Sequence, residues 1–183
     1  MPKRPILPID GTRVRLRLLE EADLPLTLAW RNQDDVRKWF FHSELISPEQ
    51  HFRWFEQYRQ QDDDFVFVIE ESKNRGRAVG QAAIYHVDWA ARRAEFGRLM
   101  MGESSARGRG LAKEATLLLA DEALARWGLA EVFLEVKEDN ERAVALYLSC
   151  GFSIQSRVHG VITCILNSHT VHTNGDGGYP TAS

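Results

Sequence analysis

Met101-Gly-Glu-Ser-Ser-Ala-Arg107-Gly108-Arg109-Gly110-Leu111-Ala112-Lys113 is the stretch on which the fold of this chain turns. It follows the apolar run Leu99, Met100, Met101 and opens into Ala115 to Trp127, whose apolar residues recur at helical spacing. A strand that feeds a helix through two glycines separated by one residue leaves several backbone N–H groups unpaired at the positive end of the helix dipole. Such a turn seats an anion. Glycine lets the backbone approach a phosphate with no side chain between, while Arg107, Arg109 and Lys113 supply positive charge around it. The spacing predicts a phosphate-bearing ligand; a strand-to-helix turn without a ligand is the plainer alternative.

Two common phosphate loops do not fit. A Walker loop needs Gly-Lys-Ser/Thr after four residues, and a Rossmann turn needs a third Gly or Ala three residues past the second glycine, where Lys113 stands. Arg107-Gly108-Arg109-Gly110-Leu111-Ala112 instead resembles the Arg/Gln-x-x-Gly-x-Gly/Ala loop of the GCN5-related N-acetyltransferases (GNAT), which cradles the pyrophosphate of acetyl-coenzyme A (acetyl-CoA). Farther on, Asn140-Glu-Arg-Ala143-Val-Ala-Leu146-Tyr147-Leu-Ser-Cys-Gly151-Phe152 is similar to that family's Asn-x-x-Ala-x-x-Leu-Tyr…Gly-Phe signature. The two motifs stand in the right order and at the right separation.

Composition is that of an ordinary globular protein. At 183 residues, with 44% hydrophobic and 27% charged residues, the chain suits one domain with a sizeable core. A net charge of -3 argues against a general nucleic-acid binder. Cys150 and Cys164 are too few and too far apart for a zinc site or a disulfide framework, and His169 with His172 lacks further ligands, so no metal is expected. No run of about 18 apolar residues occurs, and Met-Pro-Lys-Arg-Pro is followed by no signal core. A cytoplasmic protein with no membrane partner is expected.

Along the chain, the proline-rich residues 1–10 suggest an extended arm, and Arg13-Val-Arg-Leu-Arg-Leu18 alternates as a half-buried strand. The acids Glu20, Glu21 and Asp23 open a helix whose apolar face continues through Trp39. Ser47-Pro48-Glu49-Gln50 caps a second helix to about Gln60, with Phe52, Phe55 and Tyr58 on its buried side. Phe65 to Ile69, Ala78 to Val87 and Ala94 to Met101 form an antiparallel meander. A long helix to Trp127, a strand from Glu131 to Lys137, a helix from Glu141 to Cys150 and a closing hairpin follow, with 169–183 expected to be disordered. The expectation is a single-domain α/β protein over 11–168, its mixed, mostly antiparallel sheet of about seven strands flanked by about four helices, as in the GNAT fold. About four residues separate the two closing strands, fewer than in most of that family.

The resemblance implies direct acetyl transfer from acetyl-CoA to a primary amine. It places the donor against Leu99, Met100, Met101, Arg107, Gly108, Arg109, Gly110, Leu111, Ala112, Asn140, Ala143 and Tyr147. Tyr147 is implied as the acid that protonates the leaving thiolate, a task for which a phenol of pKa about 10 is well matched. On its own, Asn140 is also a good helix cap and Tyr147 a plausible core residue. Glu95 is the best-placed carboxylate to take the proton of an alkylammonium, with a solvated strand glutamate or a water chain as the alternatives. For the acceptor, Trp30-Arg31-Asn32 and Ile46-Ser47…His51, with Phe96-Gly97-Arg98-Leu99-Met100, resemble the branch acting on nucleotide-linked amino sugars. Trp30, Arg31, Asn32 and His42 are the implied acceptor residues. Arg92-Arg93-Ala94-Glu95-Phe96 resembles the ribosomal-protein-alanine and spermidine acetyltransferase group, which keeps polyamine or protein N-terminal acceptors open. A non-catalytic acetyl-CoA sensor and a homodimer also belong to the expectations.

Overall fold

A computed structural model describes residues 3–168; the expected tail, with His169 and His172, lies outside them. Eight strands form one sheet: β1 (Ile9–Asp10), β2 (Val14–Leu18), β3 (Phe65–Glu71), β4 (Arg77–Asp88), β5 (Arg93–Met101), β6 (Glu131–Lys137), β7 (Ser153–Val158) and β8 (Val161–Asn167). Their order is β1-β2-β3-β4-β5-β6-β8-β7. Every pairing is antiparallel except β5 with β6, which the intervening helix forces to run the same way. The arm expected over residues 1–10 therefore ends in a strand, Ile9 facing Leu16.

Among the described residues, five α-helices cover the sheet: α1 (Leu24–Arg31), α2 (Asp34–Arg37), α3 (Pro48–Tyr58), α4 (Leu111–Asp121) and α5 (Glu141–Ser149). On one face, Leu16, Phe67, Phe96 and Leu134 pack with Leu111, Ala115 and Leu119 of α4 and Tyr147 of α5. On the other, Val66, Val68 and Ala83 meet Leu24, Phe55 and Tyr58, while Trp30 and Val36 close over Met100. β3 supplies both layers, which is why Phe65 to Ile69 reads as an unbroken apolar run. Each large side chain so buried contributes about 1.5–3 kcal/mol.

The helix expected from Glu20 through Trp39 is broken. Gln33 adopts an extended backbone (φ -62°, ψ 135°), and α2 restarts with Asp34 and Asp35 in its first turn. The cause lies beside it: the Asn32 side chain accepts from Ile46 N at 2.9 Å and donates to Ile46 O at 2.8 Å, pulling the following loop across the break. α3 starts as its capping box predicts, with Gln50 N on Ser47 Oγ and Ser47 N on Gln50 Oε1. Phe52, expected inside, is 47% exposed, whereas Phe55 and Tyr58 are buried. α4 widens into a π turn at Glu122–Arg126, and Gly128 ends it at φ +70°.

Candidate active site

β5 and β6 pair over three residues only, Arg93 to Glu131, Ala94 to Val132 and Glu95 to Phe133. Beyond Glu95 they part, and β5 runs on to Met101 held from the β4 side alone. The sheet therefore opens a wedge at its middle. Leu99 and Met101 pack toward the α4 and α5 core, while Met100 turns to Trp30 on the opposite face.

At the wide end of the wedge lies the loop into α4. Gly108 and Gly110 take positive φ, +70° and +77°, which a side chain would strain. The backbone N–H groups from Gly108 through Lys113 find no acceptor among the described residues, and the first N–H to do so is Glu114, on Gly110 O. Six donors in sequence at a helix N-terminus suit a pyrophosphate. Gly108, Arg109 and Gly110 are exposed; Leu111 is buried beneath them.

Two of the expected phosphate cations are occupied elsewhere. Arg107 donates to Met101 O at 2.9 Å and Gln33 Oε1 at 2.9 Å and pairs with Asp35, so its guanidinium fastens the loop to α2. Arg109 pairs with the buried carboxylate of Glu71, which that bond, with a second from Asn74, holds below the usual range. Arg13, which the strand alternation alone gave no reason to place here, donates to Arg109 O at 2.7 Å and Gly110 O at 3.2 Å and grips Glu114 through its own N–H and Nε. Lys113 is exposed and has no carboxylate partner among the described residues.

Asn140 caps α5, its Oδ1 accepting from Ala143 N at 3.3 Å. One helical turn farther, Tyr147 is 7% exposed and lies edge-on to Phe96 and Phe152, with ring centroids 5.9 and 6.1 Å away. Its hydroxyl makes no hydrogen bond with the described residues, and burial pushes its pKa well above the ordinary phenol value. Phe96 and Glu95 are neighbours on a strand, so Tyr147 and Glu95 stand on opposite faces of the sheet at the level where it opens. Glu95 Oε1 accepts from Tyr85 Oη at 2.7 Å, and Oε2 is 3.0 Å from His86 Nδ1. Tyr85 is also held far above the phenol range, by burial and by its bond to Glu95. Neither neighbour was visible from the sequence.

The four acceptor residues differ in what they offer. Trp30 is 1% exposed and donates its indole N–H to Glu103 at 2.9 Å, so it presents no face for stacking. Asn32 spends its amide on Ile46. His42 has an exposed side chain and lends its carbonyl to Arg31 Nη2. Arg31 is 9% exposed, lies 4.1 Å below the Phe40 ring, and keeps a buried Nη1 without a hydrogen-bond partner among the described residues. Burial and the nearby Arg37 both lower its pKa. His51 bonds Thr27 Oγ1 at 3.2 Å and stacks on Trp54.

Comparison with known proteins agrees with this architecture. The sequence profile described as Acetyltransferase (GNAT) domain matches residues 13–153. The spermidine N(1)-acetyltransferase of Escherichia coli (strain K12) is 28% identical over 145 residues, 79% of this chain and 75% of that protein. Among solved structures, spermidine N-acetyltransferase from Vibrio cholerae in complex with CoA and spermine superposes with a TM-score of 0.79 at 20% identity, covering 87% of this chain and 98% of that one. FdhC, a nucleotide-linked sugar GNAT, gives 0.79 at 19% identity, with 92% and 94% covered. These two structures share the fold.

Proposed function

Because the chain belongs to the acetyltransferase (GNAT) domain family, we propose that it transfers an acetyl group from acetyl-CoA directly to the primary amine of a small acceptor, through the wedge between β5 and β6. Members of that family are acyltransferases that draw on acetyl-CoA, whose thioester supplies an activated acetyl group and leaves a thiolate. The row of six N–H groups from Gly108 to Lys113, without an acceptor among the described residues, carries the reading, because donors in sequence at a helix N-terminus suit a pyrophosphate.

Glu95 takes the proton of the acceptor's ammonium, which otherwise has no lone pair to attack with. Tyr147 holds the proton for the departing thiolate. Its raised pKa keeps it protonated throughout the neutral range, and its unengaged hydroxyl costs no internal bond to use. The free edge of β5 from Leu99 to Met101 offers backbone groups to the pantetheine arm.

The acceptor we favour is an amino group of a nucleotide-linked amino sugar, acted on in the cytoplasm. Arg31 supports it: a buried guanidinium that has, among the described residues, an unpartnered Nη1 and no carboxylate in bonding contact is costly unless an anion reaches it. A polyamine is the second reading, favoured by the spermidine acetyltransferases among the relatives. Self-association as a homodimer belongs to the same proposal and is checked by sedimentation of the purified chain.

Release of CoA from acetyl-CoA is the test, measured with UDP-linked 4-amino sugars, spermidine and peptides with free N-termini. The sugar nucleotides should react and lose the reaction in Arg31→Met. Turnover of spermidine alone would move the assignment to polyamines. Tight binding of acetyl-CoA with no turnover of any amine would make the chain a sensor.

A further inference from the structure

We propose that His86 is the exit for the proton that Glu95 takes, a relay residue that acts through Glu95 and does not touch the acceptor. The inference rests on the acetyl-transfer reading of the site. A base buried beside its substrate works once unless the proton it has collected can leave. The Glu95 side chain is 15% exposed, whereas that of His86, 3.0 Å away through Nδ1, is 71% exposed.

The backbone is bent to make that contact. In a regular strand Tyr85 and His86 would point to opposite faces. Here the β4–β5 register shifts between Tyr85 and Asp88, and His86 takes φ +49°, a region few residues other than glycine enter. Both consecutive side chains therefore reach the same carboxylate, Tyr85 on Oε1 and His86 on Oε2.

Their roles differ. Tyr85 is a buried donor whose phenol is held protonated, so it fixes Oε1 and passes nothing on. His86 can take a proton on the Nδ1 lone pair and give one up from Nε2 to water.

The other charged groups around this carboxylate are already paired. Arg98 lies 4.2 Å over the Tyr85 ring and is bonded to Asp64. Arg93 is bonded to Glu131 and lies over Phe133, the β6 residue beside Glu95. Asp88, opposite Arg93, accepts from Ala91 N. The α3 side presents Trp54, which is uncharged, with His51 stacked behind it.

The balance closes. The N–H bond of the ammonium breaks as an O–H forms on Glu95. That proton passes from Oε2 to Nδ1, and the imidazolium releases the Nε2 proton to water. The carboxylate is restored, and the exposed ring recovers its starting tautomer by exchange with solvent. The net reaction is ammonium plus water to amine plus hydronium.

His86→Asn tests the relay, since asparagine tolerates the left-handed backbone and leaves a polar side chain beside Glu95 but cannot carry a proton. In dilute buffer at neutral pH its kcat should fall roughly tenfold with the KM for acetyl-CoA unchanged. Added imidazole should restore most of the loss. In a Glu95→Gln background, His86→Asn should bring no further loss and no rescue.

Wild-type kcat in His86→Asn, or a loss that imidazole leaves untouched, overturns the relay and leaves His86 as a brace. The acceptors are a UDP-linked 4-amino sugar and spermidine. If the wild-type chain turns over neither, nor any peptide amine, the acetyl-transfer reading itself falls, and the relay with it.

Discussion

Tyr147→Phe separates the chemistry of the site from its stability. The ring contributes to the core through Phe96 and Phe152, and phenylalanine keeps those contacts. The hydroxyl forms no hydrogen bond with the described residues, so its removal strands no partner. Stability should therefore stay within about 0.5 kcal/mol of wild type, the range of a substitution that breaks nothing. Loss of a general acid should instead lower kcat by roughly 10- to 1000-fold, about 1.4–4 kcal/mol of barrier. Affinity for acetyl-CoA, which the proposal assigns mainly to the α4 loop, should change little. Thermal melts, CoA release at saturating substrate and direct titration with CoA provide the three readouts. An unaffected kcat would refute the assignment of Tyr147. So would a fall in kcat that merely tracks a loss of folded protein.

Further outcomes concern the loop and the charges that support it. Gly108→Ala meets no atom within 4 Å but must hold φ +70°, costing about 1–2 kcal/mol, so the KM for acetyl-CoA should rise while kcat at saturation holds. Glu71, whose pKa is lowered by Arg109 and Asn74, stabilises the fold at pH above the unfolded carboxylate value, about 4.3, and loses that contribution as pH falls through its lower folded value. The stability gap between wild type and Glu71→Gln in denaturant titrations should be level near neutrality and close in acid. Lys3 behaves oppositely: burial, only partly offset by Asp64, Asp62 and Asp63, brings its pKa down to about 8. Relative to Lys3→Gln, wild-type stability should rise between pH 8 and about 10.5, where the unfolded lysine binds the extra proton.

Periodicity and capping chemistry carried most of the architecture because they act over a few residues. Ser47-Pro48-Glu49-Gln50 announced α3, and the alternation from Arg13 placed β2. Contacts between distant parts of the chain were not legible. The pairings of Arg107 with Asp35 and of Arg109 with Glu71, 72 and 38 positions away, are such contacts. The helix break at Gln33 depends on Ile46, which no local pattern announces. Phe52 could have turned either way on a short amphipathic helix, and the packing of Phe55 and Tyr58 decided it. Tyr85 and His86 reach Glu95 only because β4 departs from strand periodicity, the signal by which facing residues are inferred.

Arg13 has an electronic consequence for the loop it grips. The two carbonyls it holds, Arg109 O and Gly110 O, belong to the peptide units whose N–H groups are those of Gly110 and Leu111. Hydrogen bonds to a carbonyl draw electron density through the conjugated amide and make its N–H a stronger donor, by about 10–30% per bond. A cation set behind the peptide plane thus sharpens the donors in front of it while leaving their approach bare. The ligand would meet amides made more acidic from the rear, with no side chain to push aside.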